Sequence, residues 1–215
     1  MKNKLITITF ILLAAAMLSS CASKEKPPRE RSETYVADIS SFYVDTFHVY
    51  TTVSSGKPKI TDFEVTFAPR TNYLFIKGRV GLDIVRIGFA YEDRKLIFEA
   101  FQKYLADYEN GTIPTGKPNK KNAYNTGTVL VEWGATGLAH RAVPTFITNA
   151  QFLEPKKPYF RFLCNAIAEE GRDQIYSPKV GIYISPSQWE NIYEVCNQAH
   201  LEEMTDEILL EANAF

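Results

Sequence analysis

Residues 180–199, VGIYISPSQWENIYEVCNQA, carry the strongest fold signal in the chain. The apolar run 180–184 is typical of a buried strand. Ser185 at the N-cap, Pro186 at the first helical position and Gln188 at the third form a capping box, which predicts that a helix begins here. Its apolar stripe consists of Trp189, Ile192, Tyr193, Cys196 and Ala199. The stretch therefore predicts a strand followed directly by an amphipathic helix.

The first half of the chain shows a similar succession. Phe63, Val65 and Phe67 alternate with polar residues, so one face of this run is predicted to be buried. Helical spacing takes over later and predicts an amphipathic helix over 93–109, which ends at Asn110-Gly111. Short turns separate the strand-like runs, which favours an antiparallel meander of strands over 35–52, 59–67, 73–80 and 84–91.

Beyond a polar loop the order repeats, with strands near 128–133, 143–153, 158–168 and 179–185 and a helix from 186. Aligning residues 85–108 with 180–203 gives four identities: Val85/Val180, Ile87/Ile182, Ile97/Ile192 and Glu99/Glu194. We therefore predict an α+β fold in which antiparallel sheets and helices form one pseudo-symmetric domain, 35–215. Its two strand-strand-strand-strand-helix halves would be 35–110 and 128–203, joined by a linker at 111–127.

The segment GIYISPSQWENIYEVCNQ resembles the last strand and helix of Whirly and PUR-type modules. The resemblance implies a four-stranded sheet before the helix, and single-stranded nucleic acid bound through basic and aromatic residues on the open sheet face. The chain has 24 Lys and Arg against 25 Asp and Glu, so it lacks the basic excess of nucleic-acid-binding domains. Nucleic acid is therefore not the partner that the composition favours.

The first 26 residues, MKNKLITITFILLAAAMLSSCASKEK, predict an export signal. Lys2 and Lys4 precede an uncharged run at 5–18, which is shorter than the roughly 20 residues of a membrane span. Leu18-Ser19-Ser20-Cys21 resembles the lipobox of bacterial lipoproteins. The resemblance implies cleavage of a signal peptide at 1–20 and acylation of Cys21, whose several chains would hold the protein on a membrane. An ordinary secretory signal with a chance cysteine, or an uncleaved anchor, are the alternatives.

Residues 21–34 are predicted to form a polar tether, because they contain no large apolar side chain and include Pro27-Pro28. Ala22 follows the candidate lipidated cysteine, and it is not Asp. In one bacterial sorting scheme this permits export, which favours the outer membrane over the inner as the location in the cell envelope.

Two further cysteines, Cys164 and Cys196, are predicted to face the seam between sheet and helix. Outside the cytoplasm they could form a disulfide, while two buried thiols are the alternative. The loop at 111–127 is a candidate binding loop through Lys117, Lys120 and Lys121, and a solvated linker is the alternative there.

Motifs for catalysis or cofactors are weak. His48, His140 and His200 lie far apart without metal-site spacing, so no catalytic residue, metal or cofactor is predicted. We expect a lipid-anchored envelope lipoprotein whose domain is a non-catalytic binding or scaffold module for an envelope protein. The alternatives are an envelope enzyme with a site built from distant polar residues, and a nucleic-acid-binding module of Whirly or PUR type.

Overall fold

The computed structural model describes residues 33–53 and 56–213. The predicted signal peptide at 1–20, Cys21 and the tether as far as residue 32 lie outside the described residues. The described residues belong to one compact unit of the chain.

A four-stranded meander and a helix begin the fold, with bounds β1 Phe42–Val53, β2 Lys59–Ala68, β3 Tyr73–Val80, β4 Asp83–Phe89 and α1 Tyr91–Glu109. The short strands that follow are β5 Asn125–Thr128, β6 Leu130–Gly134 and β7 His140–Ala142. The remaining elements are β8 Thr145–Glu154, β9 Lys157–Cys164, β10 Ala168–Glu169, β11 Arg172–Tyr176, β12 Val180–Ile184, α2 Pro186–Cys196 and α3 Gln198–Asn213.

Ten strands form one antiparallel sheet in the order β5–β8–β9–β12–β1–β2–β3–β4–β6–β7, and β10 pairs with β11 in a separate hairpin. Only Val129 separates β5 from β6, yet β5 is at one end of the sheet and β6 is next to the last strand at the other. One residue spans less than about 4 Å, so these two ends of the sheet approach each other and the sheet curls.

The hydrophobic core fills the inside of this curl. Phe101 and Tyr104 of α1 are fully buried there. Phe101 stacks on Trp189 of α2, with ring centroids 3.8 Å apart and an interplanar angle of 8°. The Tyr104 hydroxyl donates a hydrogen bond to the Pro158 carbonyl oxygen at 2.9 Å. The two helices are therefore locked to each other and to the start of β9.

The predicted α+β class with two equivalent halves is wrong. The described residues are 45% strand and 27% helix, so the fold is β-rich, with one curled ten-stranded sheet and three helices. In the second half the run near 128–133 divides at Val129 into β5, which pairs with β8, and β6, which pairs with β4 of the first half. Alternation shows which face of a strand is buried, but it does not show which strand pairs with it.

The start of each predicted helix is confirmed to within two residues. The helix predicted over 93–109 is α1, Tyr91–Glu109, and the helix predicted from 186 begins at Pro186 as α2. The Ser185 amide donates to the Gln188 side-chain oxygen at 2.9 Å, as the capping box requires. Asn197 has an extended backbone that ends α2, and α3 follows.

In the part of the chain that the structure covers, none of the helices has the length and apolar character needed to cross a membrane.

Candidate ligand-binding groove

A polar row crosses the outer face of the sheet. Register places Asn149 of β8 opposite Arg161 of β9, Arg161 opposite Tyr183 of β12, and Tyr183 opposite Tyr50 of β1. The neighbours of Arg161 in β9, Phe160 and Phe162, are buried in the core. Because successive side chains of a strand point to opposite faces, Arg161 lies on the outer face.

Around Arg161 this face forms a groove of about 370 Å³. We name it the Arg161 groove and define it by its lining residues: Thr52, Gly56, Pro58, Gln151, Phe152, Leu153, Arg161, Leu163, Lys179 and Tyr183. The volume falls in the range of small-molecule sites, about 300–1,000 Å³. The groove is open, with more polar than apolar lining, in contrast to the core beneath it.

Two neighbouring amides hold the Arg161 guanidinium in one orientation. Nε donates to the Asn149 side-chain oxygen at 2.9 Å, and Nη1 donates to the Gln151 side-chain oxygen at 3.0 Å. Tyr183 adds a side-chain hydrogen bond to the guanidinium, and its hydroxyl is 3.2 Å from the Thr52 hydroxyl. Neutral side chains therefore fix the guanidinium in the lining of the groove.

The groove carries positive charge without a carboxylate. In the described part of the chain neither Arg161 nor Lys179 forms an ion pair, and no acidic residue lines the groove. Burial lowers the pKa of Arg161, against a smaller opposing effect of Tyr183. The arginine is therefore a partly desolvated cation whose polar neighbours are neutral.

Gly181 of β12 lies close to Thr52 and Tyr183, two residues that line the groove. A Cβ atom at this position would lie 2.6 Å from the Thr52 hydroxyl oxygen and 3.3 Å from the Tyr183 hydroxyl oxygen. A side chain here would therefore displace groove residues.

A second concave feature lies in the core. It is a cavity of about 80 Å³ with apolar walls from the sheet, α1 and α2, and Arg94 is its one charged lining residue. Arg94 is buried and donates to the Asn72 and Phe89 carbonyl oxygens and to the side-chain oxygens of Asn72 and Gln198. Burial lowers the pKa of Arg94 to about 10. These bonds tie α1 to the start of β3, the end of β4 and α3, so Arg94 has a structural role.

The predicted lysine loop lies on the surface. Lys117, Lys120 and Lys121 are all exposed, and residues 120–122 form one short 3₁₀ turn. The Asn119 side-chain oxygen accepts a hydrogen bond from the Lys121 amide at 2.7 Å. The Asn149 side-chain amide donates to the Asn119 carbonyl oxygen at 3.5 Å. The loop is thus brought next to the residue that orients Arg161, which the sequence did not indicate.

The two remaining cysteines are buried free thiols, so Cys164 and Cys196 are not bridged in this structure. Burial raises the pKa of the Cys164 thiol. Burial also raises the pKa of Cys196 to about 12, although Arg94 opposes this effect. Burial therefore favours the protonated form of both thiols, whereas the thiolate is the nucleophilic form.

The three histidines lie in different places. His48 pairs with Asp62 at 2.6 Å on the exposed surface, and His200 is 4.0 Å from Glu203. His140 pairs at 3.1 Å with Glu169. No group of three or more metal-ligating side chains occurs within 33–53 and 56–213.

Glu169 fastens the β10–β11 hairpin to β7. Its carboxylate accepts hydrogen bonds from the Arg141 amide and the His140 ring and pairs with Arg172. Burial acts to raise the pKa of Glu169, but these hydrogen bonds and the nearby positive charges together lower it. The ionised carboxylate is therefore the form that holds the hairpin.

Sequence reasoning did not single out Arg161. A signal was present, because Arg161 interrupts the apolar run Phe160, Phe162 and Leu163 within one strand. A charged residue in such a run lies on the opposite face from the residues directly before and after it, here Phe160 and Phe162, and needs partners there. Those partners come from β8, which forms a hairpin with β9, and from β12, and the sequence does not show the register that brings them to Arg161.

A protein family described as "Uncharacterised Treponema protein" matches residues 34–203 of the chain. The chain belongs to this Treponema family. A relative from Treponema pallidum (strain Nichols), described as "Uncharacterized protein", is 28% identical over 204 residues, which cover 92% of this chain and 69% of the relative. No solved structure matches. All residues of the Arg161 groove lie inside the family match.

Proposed function

We propose that the chain is a lipid-anchored lipoprotein of the bacterial cell envelope. The support is the order of a positive start, a short apolar run and Leu18-Ser19-Ser20-Cys21, followed by a polar segment. Acyl chains on Cys21 would hold the domain at a membrane without a spanning helix. Ala22 after the cysteine favours the outer membrane.

The domain beyond the tether acts in this proposal as a non-catalytic binding module. The observation that carries it is the Arg161 groove, a concave polar surface on a rigid sheet with two cations that no carboxylate neutralises among the described residues. Ligand sites commonly combine a concave shape with a few fixed polar groups. The ligand or envelope partner would be held at this face of the sheet, within reach of the membrane.

Anchoring is tested with Cys21→Ala in cells labelled with radioactive palmitate. We expect the unmodified protein to be labelled and to sediment with membranes, and the variant to lose both properties. The matched control is Cys196→Ala, which removes a buried thiol and should leave labelling unchanged. Labelled, membrane-bound Cys21→Ala protein would show that Cys21 is not the anchor.

The binding role is tested by filling the groove with a large side chain. This test does not depend on the charge of the ligand. Leu163 lines the groove, and Leu82 is 86% exposed in the turn between β3 and β4. We expect chemical crosslinking in intact cells to give an adduct that Leu163→Trp abolishes and Leu82→Trp keeps. An adduct that persists in Leu163→Trp would contradict a binding role for the groove.

A further inference from the structure

We propose that the Arg161 groove binds an oxyanion, either a carboxylate or a phosphate group, through the Arg161 guanidinium, and that Lys179 adds a second positive charge. This inference rests on the proposed binding role of the groove and names the chemistry of its ligand. Nothing in the sequence pattern assigns Arg161 or Lys179 to such a site.

The geometry supplies a guanidinium that is already positioned. Asn149 and Gln151 accept from Nε and Nη1, so the plane of the fork is fixed before a ligand arrives. A guanidinium matches the oxygens of carboxylates and phosphates, and a fixed one loses little conformational entropy on binding. Three neutral side chains, Asn149, Gln151 and Tyr183, thus hold the guanidinium in the lining of the groove.

The charge balance supports an anion. Arg161 is partly buried and its hydrogen-bond partners, two amides and a tyrosine, are neutral, so the desolvation of its charge is not offset by a carboxylate. The loop with Lys117, Lys120 and Lys121 contacts Asn149 through Asn119 and adds positive potential on this side of the sheet. An anionic group bound in the groove would supply the missing counter-charge.

Arg161 and Lys179 are expected to contribute unequally to the affinity for the anion. Lys179 lies in the segment just before β12, four positions before Tyr183, which is opposite Arg161. At about 3.3 Å per residue, the two backbone positions are about 13 Å apart along the strand. That separation is close to the Debye length of about 10 Å at 0.1 M salt, so Lys179 acts mainly as a screened field. We therefore expect at least a tenfold loss of affinity in Arg161→Gln and about a twofold loss in Lys179→Gln.

The experiment uses the full mature lipoprotein, extracted from membranes in an uncharged detergent. Isothermal titration calorimetry measures the binding of inorganic phosphate and, separately, of acetate at constant ionic strength. The matched control is Arg79→Gln, because Arg79 is an exposed arginine of β3 outside the groove that bonds the Leu82 carbonyl oxygen. Circular dichroism checks that each variant is folded.

Saturable binding of phosphate, acetate or both, lost in Arg161→Gln and kept in Arg79→Gln, supports the proposal, and the two probes distinguish a phosphate from a carboxylate ligand. If Arg161→Gln does not fold, weaker binding in the exposed Lys179→Gln variant, with unchanged binding in Arg79→Gln, gives the same support. Absence of binding, or equal loss in Arg79→Gln, overturns it. In that case a crosslinked adduct that Leu163→Trp abolishes would still support the binding role of the groove.

Discussion

Replacing Arg94 by Met should destabilise the domain strongly, although neither the Arg161 groove nor the predicted lipid site is touched. Arg94 is only 4% exposed, and Met keeps most of its length without its donors. The substitution removes four hydrogen bonds, at 2.8, 3.3, 2.8 and 2.7 Å. Two of the acceptors belong to Asn72, which is fully buried and cannot turn to water.

The magnitude follows from those orphaned acceptors. A buried acceptor left without a donor costs about 1–3 kcal/mol, so the two on Asn72 cost about 2–6 kcal/mol. The substitution also removes the buried charge of Arg94, which recovers part of this free energy, because burial of an unpaired cation is itself unfavourable. We expect a net loss of about 3 kcal/mol in the free energy of unfolding, which for a domain of this size lowers Tm by roughly 6–12 °C.

Urea unfolding followed by tryptophan fluorescence measures this loss, since Trp189 stacks on α1 in the core. Arg70→Met is the matched control, because Arg70 is 60% exposed and its pair with Asp38 is a surface ion pair. Arg94→Lys should fall between wild type and Arg94→Met, because a compact ammonium cannot reach all the acceptors of the guanidinium. A loss in Arg94→Met no larger than that in Arg70→Met would show that the buried hydrogen bonds of Arg94 do not stabilise the domain.

Three other features give testable outcomes. Cys164 and Cys196 should resist iodoacetamide in the native protein and both react after unfolding without reductant, as mass spectrometry would show; a mass that reveals a bridge contradicts the buried-thiol assignment. In wild type, the β10–β11 hairpin should lose hydrogen-exchange protection as the pH falls below the ordinary glutamate pKa of 4.5 and through the lower pKa of folded Glu169. In Glu169→Gln this pH dependence should be absent. A wild-type hairpin whose protection does not change with pH would contradict the role of Glu169. Gly134→Ala should destabilise the fold, because its Cβ would collide with the Gly137 carbonyl oxygen, whereas Gly116→Ala has open space; equal denaturation midpoints would contradict the collision.

Local structure could be predicted from the sequence where one segment contains all the information. The capping residues Ser185 and Gln188 located the start of α2, and helical spacing located α1 to within two residues. Alternation also identified buried residues such as Phe63, Val65 and Phe67. Each of these signals depends on neighbours along the chain.

Strand pairing could not be predicted, because it depends on partners that are distant in sequence. The run near 128–133 has one alternating pattern, but β5 and β6 within it pair at opposite ends of the sheet. The groove was missed because the sequence does not show the registers that bring Asn149 of the β8–β9 hairpin and Tyr183 of β12 beside Arg161. Helix α3 was missed because Asn197 breaks a stripe that the sequence shows as one continuous helix.

We propose that acyl chains on Cys21 attach a folded binding domain to the envelope. The most direct test of this proposal is the intact mass, with amino-terminal fragmentation, of the protein purified from the membranes of its own cells. We predict a chain that begins at Cys21 and carries a diacylglyceryl thioether and an amide-linked fatty acid. A chain that begins at Met1, or a mature chain free of fatty acids, would contradict it.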